Sequence, residues 1–527
     1  MFLKKIVCLL LMCFCIVALT LPVLASPLKP KILFVPHDDR PVSFAQTADT
    51  VRNLDYDLVL PPQNLLGNRV DLGHPDELWQ WVFAQAKSSD ALILSSDSLL
   101  YGSLVGSRKH AYTQAEIMKR VEQFAQLKAQ NPRLKIYVFG SIMRTPRDGA
   151  ASGSEEPSYY AKYGASIFRL TELQDKSETE GLSSSEKKEQ TSLEAFIPTK
   201  AIGDWMKRRQ TNFAASSRLI ELSRAGTFNY LALGRDDNAP YSQTHKESRL
   251  LSKQGADLGV TKFQALAGID EIGMVLMTRA VNDLSSNIPF VTVRYADGIG
   301  AATVPSYSDE AISQSIRSHL LAAGAIQIPG LKRADLVLLV NTNKDGKTLE
   351  ANWPQNTIIP RDNTISFAKM VDSYVSQGYH VGVGDIAFAN GADNALMAEL
   401  AKRNLLPKLT AYSGWNTATN STGFVLGQGI MAQKMTPQAK NHLLAVRYLD
   451  DWAYQANIRQ SVAGELSKIP GTGSYGQLDQ KKAAVIKSTV EKMNIFVNHN
   501  LSDMKIDNIS IDFPWNRMFE TEVIVQS

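Results

Sequence analysis

The chain is almost without cysteine. Cys8, Cys13 and Cys15 are its only three, and all lie in the first fifteen residues, a stretch that reads as a leader. The remainder is therefore expected to hold no disulfide, no thiol nucleophile and no Cys-ligated metal. Charge of one sign is equally scarce. The net formal charge is +4 over 527 residues, two of those charges being Lys4 and Lys5, which gives no electrostatic case for nucleic acid as a partner. None of the eight histidines stands in a His-Glu-x-x-His, His-x-x-Glu-His or His-x-x-x-His spacing, and there is no P-loop and no Gly-x-Ser-x-Gly elbow. Gly382-Val383-Gly384 lacks the rest of a dinucleotide fingerprint, so no cofactor is expected. Beyond the leader no run is apolar enough to cross a bilayer.

What is present begins with that leader. Lys4 and Lys5 form a basic start, residues 6–21 are apolar, and Val23-Leu24-Ala25 offers small residues for cleavage before Ser26. Residues 1–25 are thus expected to be a signal peptide, and the mature protein to be secreted or extracytoplasmic with no membrane contact after cleavage; a retained anchor is the alternative. Next come β-branched runs alternating with helical patterns. Strands are expected near 32–35, 58–60, 91–94, 135–139, 230–233, 263–267, 289–293, 336–340, 380–383 and 408–412. Helices are expected at 76–86, 113–128, 198–224, 272–283, 308–323, 365–377 and 394–403. This alternation predicts an α/β fold with a mostly parallel sheet. The strands are expected to make a (β/α)-barrel-like domain over 26–435, with two Rossmann-like lobes as the alternative, the second from about 289 to 429. Residues 174–191, rich in Ser, Glu and Lys, read as a solvated or disordered insertion. Residues 436–527 read as a mainly helical appendage, with helices at 440–466 and 480–499 and an irregular or β end.

The chemistry-bearing residues collect where strands end. They are His37-Asp38-Asp39-Arg40, Asp97, Arg144, Asp236-Asp237, Asp270-Glu271, Asp297 and Trp415-Asn416. Parallel α/β proteins build their sites at the carboxyl ends of strands, so one polar, largely acidic pocket is expected. Asp236 and Asp237 are the catalytic candidates. Neighbouring carboxylates resist ionising together, which leaves one acid and one base, the pair that glycoside hydrolysis uses; a helix cap is the plain alternative. Asp38, Asp39 and Arg40 fit hydroxyl binding or, with His37, a divalent metal; a turn and cap would also use them. Asp97 and Arg144 fit substrate-shaping loops, and Asp270 and Glu271 fit substrate binding or capping. Trp415, read as exposed, with Asn416 and Asn420 suits stacking on a sugar ring and binding its hydroxyls. Asn420-Ser421-Thr422 is also a glycosylation sequon. Asp450-Asp451 reads as a solvated helix face.

Together, the motifs Pro36-His37-Asp38-Asp39-Arg40-Pro41, Gly234-Arg235-Asp236-Asp237, Gly268-Ile269-Asp270-Glu271 with Arg279, and Gly414-Trp415-Asn416-Thr417 resemble the bacterial domain-of-unknown-function family 4127. The likeness runs from about residue 31 to 429 and implies no activity. The Asp236-Asp237 element also resembles the catalytic pair of retaining β-N-acetylglucosaminidases that use substrate assistance. That resemblance implies that Asp236 orients an acetamido group, that Asp237 is the acid/base, and that Trp415 and Asn416 hold the ring. Three functions follow as expectations: an exported glycoside hydrolase acting on N-acetylhexosamine-containing glycans, a metal-dependent carbohydrate deacetylase, or a non-enzymatic glycan- or solute-binding protein.

Overall fold

The computed structural model describes residues 29–148 and 155–525; the expected signal peptide lies outside them. Eleven of its strands form two wholly parallel sheets. In the first, β1 (Lys31–Val35), β2 (Asp57–Val59), β3 (Ala91–Ser95), β4 (Lys135–Ile142), β5 (Tyr230–Arg235) and β6 (Phe263–Ala267) run in the order β2-β1-β3-β4-β5-β6. In the second, β7 (Phe290–Tyr295), β8 (Ile326–Gln327), β9 (Leu336–Asn341), β11 (Val381–Asp385) and β13 (Ala411–Ser413) run β13-β11-β9-β7-β8. Two minor pairs join β10 (Leu349–Glu350) to β12 (Phe388–Ala389), and β14 (Ile509–Asp512) to β15 (Glu522–Val525). The expected α/β class and parallel pairing hold, with the strands divided between two sheets.

The strands are buried because they are apolar on both faces, as parallel strands covered by helices must be. Ile32 to Val35, Ala91 to Leu94 and Leu336 to Val340 are all fully enclosed. Two helices lie between the sheets. Ile272–Leu284 packs on the first, where Gly273 lets Phe34 and Phe139 approach closely, and Ala418–Met431 packs on the second. The two helices also pack on each other, so one apolar core runs from sheet to sheet.

Asn420 falls on helix Ala418–Met431, a stretch for which the sequence predicts no helix. All fourteen of its residues are buried, so its sequence carries no polar stripe to betray a helical period. Its glycines permit close contact: a Cβ on Gly427 would lie 2.5 Å from Met274 Cγ, and one on Gly423 would lie 2.4 Å from Glu271 Cγ.

Beyond residue 436 the chain forms helix Pro437–Arg447, a π-helical stretch Tyr448–Ile458, and helices Arg459–Glu465 and Lys482–Asn500. Asp450 and Asp451 depart from expectation. They are buried and paired with Arg447, at 3.0 and 2.9 Å, so this face points into the core. Residues 174–191 lie mostly on helices Tyr160–Thr179 and Ser184–Phe196, and the latter buries no residue. The stretch is helical rather than disordered, and Asp175 within it is buried against Arg249.

Candidate functional site

The carboxyl ends of β1, β3, β4, β5 and β6 open on the same side as Asn416, which follows β13. The turn after β1 places His37, Asp38 and Arg40 in the interior. None caps the next helix, Ala45–Arg52, whose N-cap is Phe44 without a side-chain bond. Arg40 donates to Asp38 Oδ2 through Nε at 2.9 Å and to Asp270 Oδ1 through Nη2 at 2.8 Å. His37 Nε2 lies 2.9 Å from the same Asp270 oxygen and 2.8 Å from Ser43 Oγ. Burial opposes a charged imidazole, but Asp38 and Asp270 outweigh it and raise the His37 pKa.

Asp270 is the junction of the two sheets. Its second oxygen accepts from Asn416 Nδ2 at 3.0 Å and Asn420 Nδ2 at 3.2 Å. Burial alone would raise its pKa; Arg40 and His37 hold it well below the usual carboxylate range. Its carboxylate is thus committed to tertiary contacts, and Glu271, the N-cap of Ile272–Leu284, makes no side-chain cap bond either. Glu271 is sealed behind Asp270 with its oxygen 3.0 Å from His319 Nε2.

Asp236 and Asp237 follow β5 directly. The following helix, Gln243–Gln254, is capped by Ser242, which removes the capping reading for the pair. Their side chains diverge: Arg108 Nη2 donates to Asp236 Oδ2 at 2.6 Å, and Arg144 Nη1 donates to Asp237 Oδ2 at 2.9 Å. Asp237 adopts a left-handed backbone, φ +40°, a conformation that aspartate tolerates better than most side chains. Its side chain keeps 29% exposure, against 13% for Asp236. Burial, then the neighbouring Asp236, push the Asp237 pKa up to about 6 against the pull of Arg144 and Arg108.

Glu155 binds these pieces together. It meets Arg108 at 3.0 Å, Arg144 at 3.3 Å and Arg517 at 2.5 Å. Burial works against its charge, yet these three arginines keep its pKa far below normal. Arg517 comes from the segment between β14 and β15. The same segment sends Trp515 Nε1 to Asp39 Oδ1, 2.7 Å away, and lays the Trp515 ring 5.0 Å from the Arg40 guanidinium. Burial lifts Asp39 to about 6, although the Trp515 bond resists the shift. Arg40, Arg108, Arg144 and Arg517 thus pair with carboxylates throughout the cluster, although its carboxylates still outnumber them.

Other expected residues fall differently. Asp97 is fully buried, accepting from Ser141 N and Oγ at 2.9 Å each, and burial lifts its pKa to about 6. Asp297 lies on an exposed loop after β7, and no described contact joins it to the cluster. Trp415 is 4% exposed, with its ring against Phe519 and under Arg459. It offers no open face to a sugar, because the C-terminal segment covers it. Asn420 is buried within a helix, which closes the sequon to modification. Among the described residues no group of three or more His, Cys, Asp or Glu is placed to hold a metal; His37 and Asp38 face Arg40 while Asp39 turns to Trp515. Sequence reasoning missed Arg108, Glu155, Trp515 and Arg517. The first two follow no strand directly, and the last two lie over 270 positions beyond the paired aspartates.

Fold and site together define a parallel α/β protein whose two sheets meet at a largely buried cluster of ion-paired side chains near strand carboxyl ends. The chain belongs to the family described as protein of unknown function (DUF4127), whose model matches residues 32–524. No curated protein and no solved structure matches it. No helix among the described residues is long and apolar enough to cross a membrane.

Proposed function

We propose that this chain is an exported glycoside hydrolase acting on N-acetylhexosamine-containing glycans through Asp236 and Asp237. One observation carries the reading: two adjacent carboxylates on one turn have unequal surroundings. Asp237 is the more exposed and holds its proton up to about pH 6, which suits a general acid delivering a proton to the glycosidic oxygen. Asp236, tied to Arg108, serves as the anion that orients and polarises the substrate's acetamido group. The glycosidic carbon–oxygen bond breaks as the proton arrives. Water then adds at the sugar carbon and returns its proton to Asp237.

A panel of aryl glycosides that includes N-acetylhexosaminides tests this with the purified protein, with and without chelator. Chelator-resistant release of the aryl group is expected from an N-acetylhexosaminide. Silence across the panel, with the protein folded, would sink the reading.

A further inference from the structure

With Trp415 covered, the site needs another aromatic face if it is to grip a sugar ring. One stands beside Asp237. Tyr307, in the loop between β7 and helix Ile312–Ala322, is 48% exposed and adopts a left-handed backbone, φ +66°. That conformation is costly for a bulky side chain and persists only where surrounding structure enforces it. Here its carbonyl accepts from Asn238 N at 3.1 Å, which ties the loop to the Asp236-Asp237 turn. Its hydroxyl donates to Glu350 Oε1 at 3.0 Å, and Asn390 Nδ2 holds Glu350 Oε2 at 2.8 Å.

The local sheet explains that arrangement. β10 pairs with β12 in parallel, Glu350 opposite Ala389, so Asn390 follows directly alongside Glu350. Asn390 is also left-handed, φ +61°, and its N–H donates to Asn416 O at 2.9 Å. The chain of contacts thus runs from Asn238, next to Asp237, through Tyr307, Glu350 and Asn390 to Asn416. The Asp237 charge also bears on the Tyr307 phenol.

We propose that Tyr307, Glu350 and Asn390 form a sugar-ring subsite beside Asp237. The Tyr307 ring stacks on the apolar face of a pyranose, and the Glu350 carboxylate with the Asn390 amide binds its hydroxyls. An aromatic face beside a few fixed polar groups is the usual composition of a site for such ligands. The inference rests on the glycosidase reading for its choice of ligand alone.

Calorimetric titration with the tetramer of N-acetylglucosamine tests it, using the full chain carrying Asp237→Asn so that no turnover intervenes. The tetramer is expected to bind. Tyr307→Ala in that background is expected to weaken binding about ten-fold, whereas Tyr307→Phe, which keeps the ring, retains most of it. Should the Ala variant fold poorly, Tyr307→Gly removes the ring with a residue at ease at positive φ. Absence of tetramer binding, or binding unchanged by loss of the ring, overturns the subsite. Hydrolysis is scored separately on chains with an intact Asp237. Binding that depends on Tyr307 without any hydrolysis upholds the subsite and removes the hydrolase; hydrolysis with KM unchanged in Tyr307→Ala does the reverse.

Discussion

At the scale of single residues, Asp237 carries the most testable chemistry. Asn also tolerates the left-handed backbone, so Asp237→Asn changes the proton inventory with little effect on the turn. Its hydrolytic rate is expected to fall by about 10²- to 10⁴-fold, while the circular dichroism spectrum and melting temperature stay close to wild type. A protonated Asp237 is the active form under the proposal, so kcat should decline as pH rises through about 6. Glu155 helps hold that value up, both by its own charge and by occupying Arg108 and Arg144. Glu155→Gln should therefore move the alkaline limb of the rate profile to lower pH. An unshifted limb would dissociate Glu155 from the Asp237 proton.

Residue-level legibility followed backbone position. The aspartates at strand ends were readable because charge is rare in a parallel sheet and gathers at its edges. Their partners were not. Arg108 sits on a short helix and Glu155 in a loop, and nothing in local periodicity says that a guanidinium there will reach a particular carboxylate. Trp415 was misread because exposure depends on a segment roughly a hundred residues further on.

At the scale of elements, β3, β4 and the helix Ser96–Tyr101 are joined by Asp97, which receives two bonds from Ser141. Its raised pKa means the folded state holds the proton more tightly than the unfolded chain does. The associated stability is complete below the unfolded value near 4 and is lost as pH rises through about 6, a span of about 3 kcal/mol. In Asp97→Asn the amide can still accept from Ser141 N and donate to Ser141 Oγ. That variant should gain on wild type as pH rises from 5 to 8, as read by urea denaturation at each pH. A constant difference would show that Asp97 does not titrate in this window.

Strands and amphipathic helices were legible because their periods differ; helix Ala418–Met431 was hidden because it is enclosed on every side. Division of the strands between two sheets was legible only as an alternative. Strand candidates do not announce their neighbours, and β7 begins the second sheet after a helix like any other.

At the scale of the whole molecule, Asp270 and the helix pair between the sheets make the two halves interdependent. Removing the Asp270 carboxylate strands Arg40 without its partner across the junction and frees Asn416 and Asn420. Asp270→Ala is expected to cost about 3–5 kcal/mol, as loss of one member of a buried ion pair does. Since one core runs through both sheets, the described part of the chain should unfold in one transition, with fluorescence and circular dichroism coincident. Two separated transitions would mean that the shared core does not couple the sheets.

The Trp515–Asp39 bond spans 476 positions of chain. A ribosome delivers the turn after β1 long before it delivers the indole and guanidinium that close over it. The cluster is therefore completed by residues made more than 470 positions after its first members. A nascent chain stalled or cleaved before Trp515 can have both aspartates and both sheets and still lack the finished site. Synthesis order itself then withholds the finished cluster until the chain has been made at least as far as Arg517.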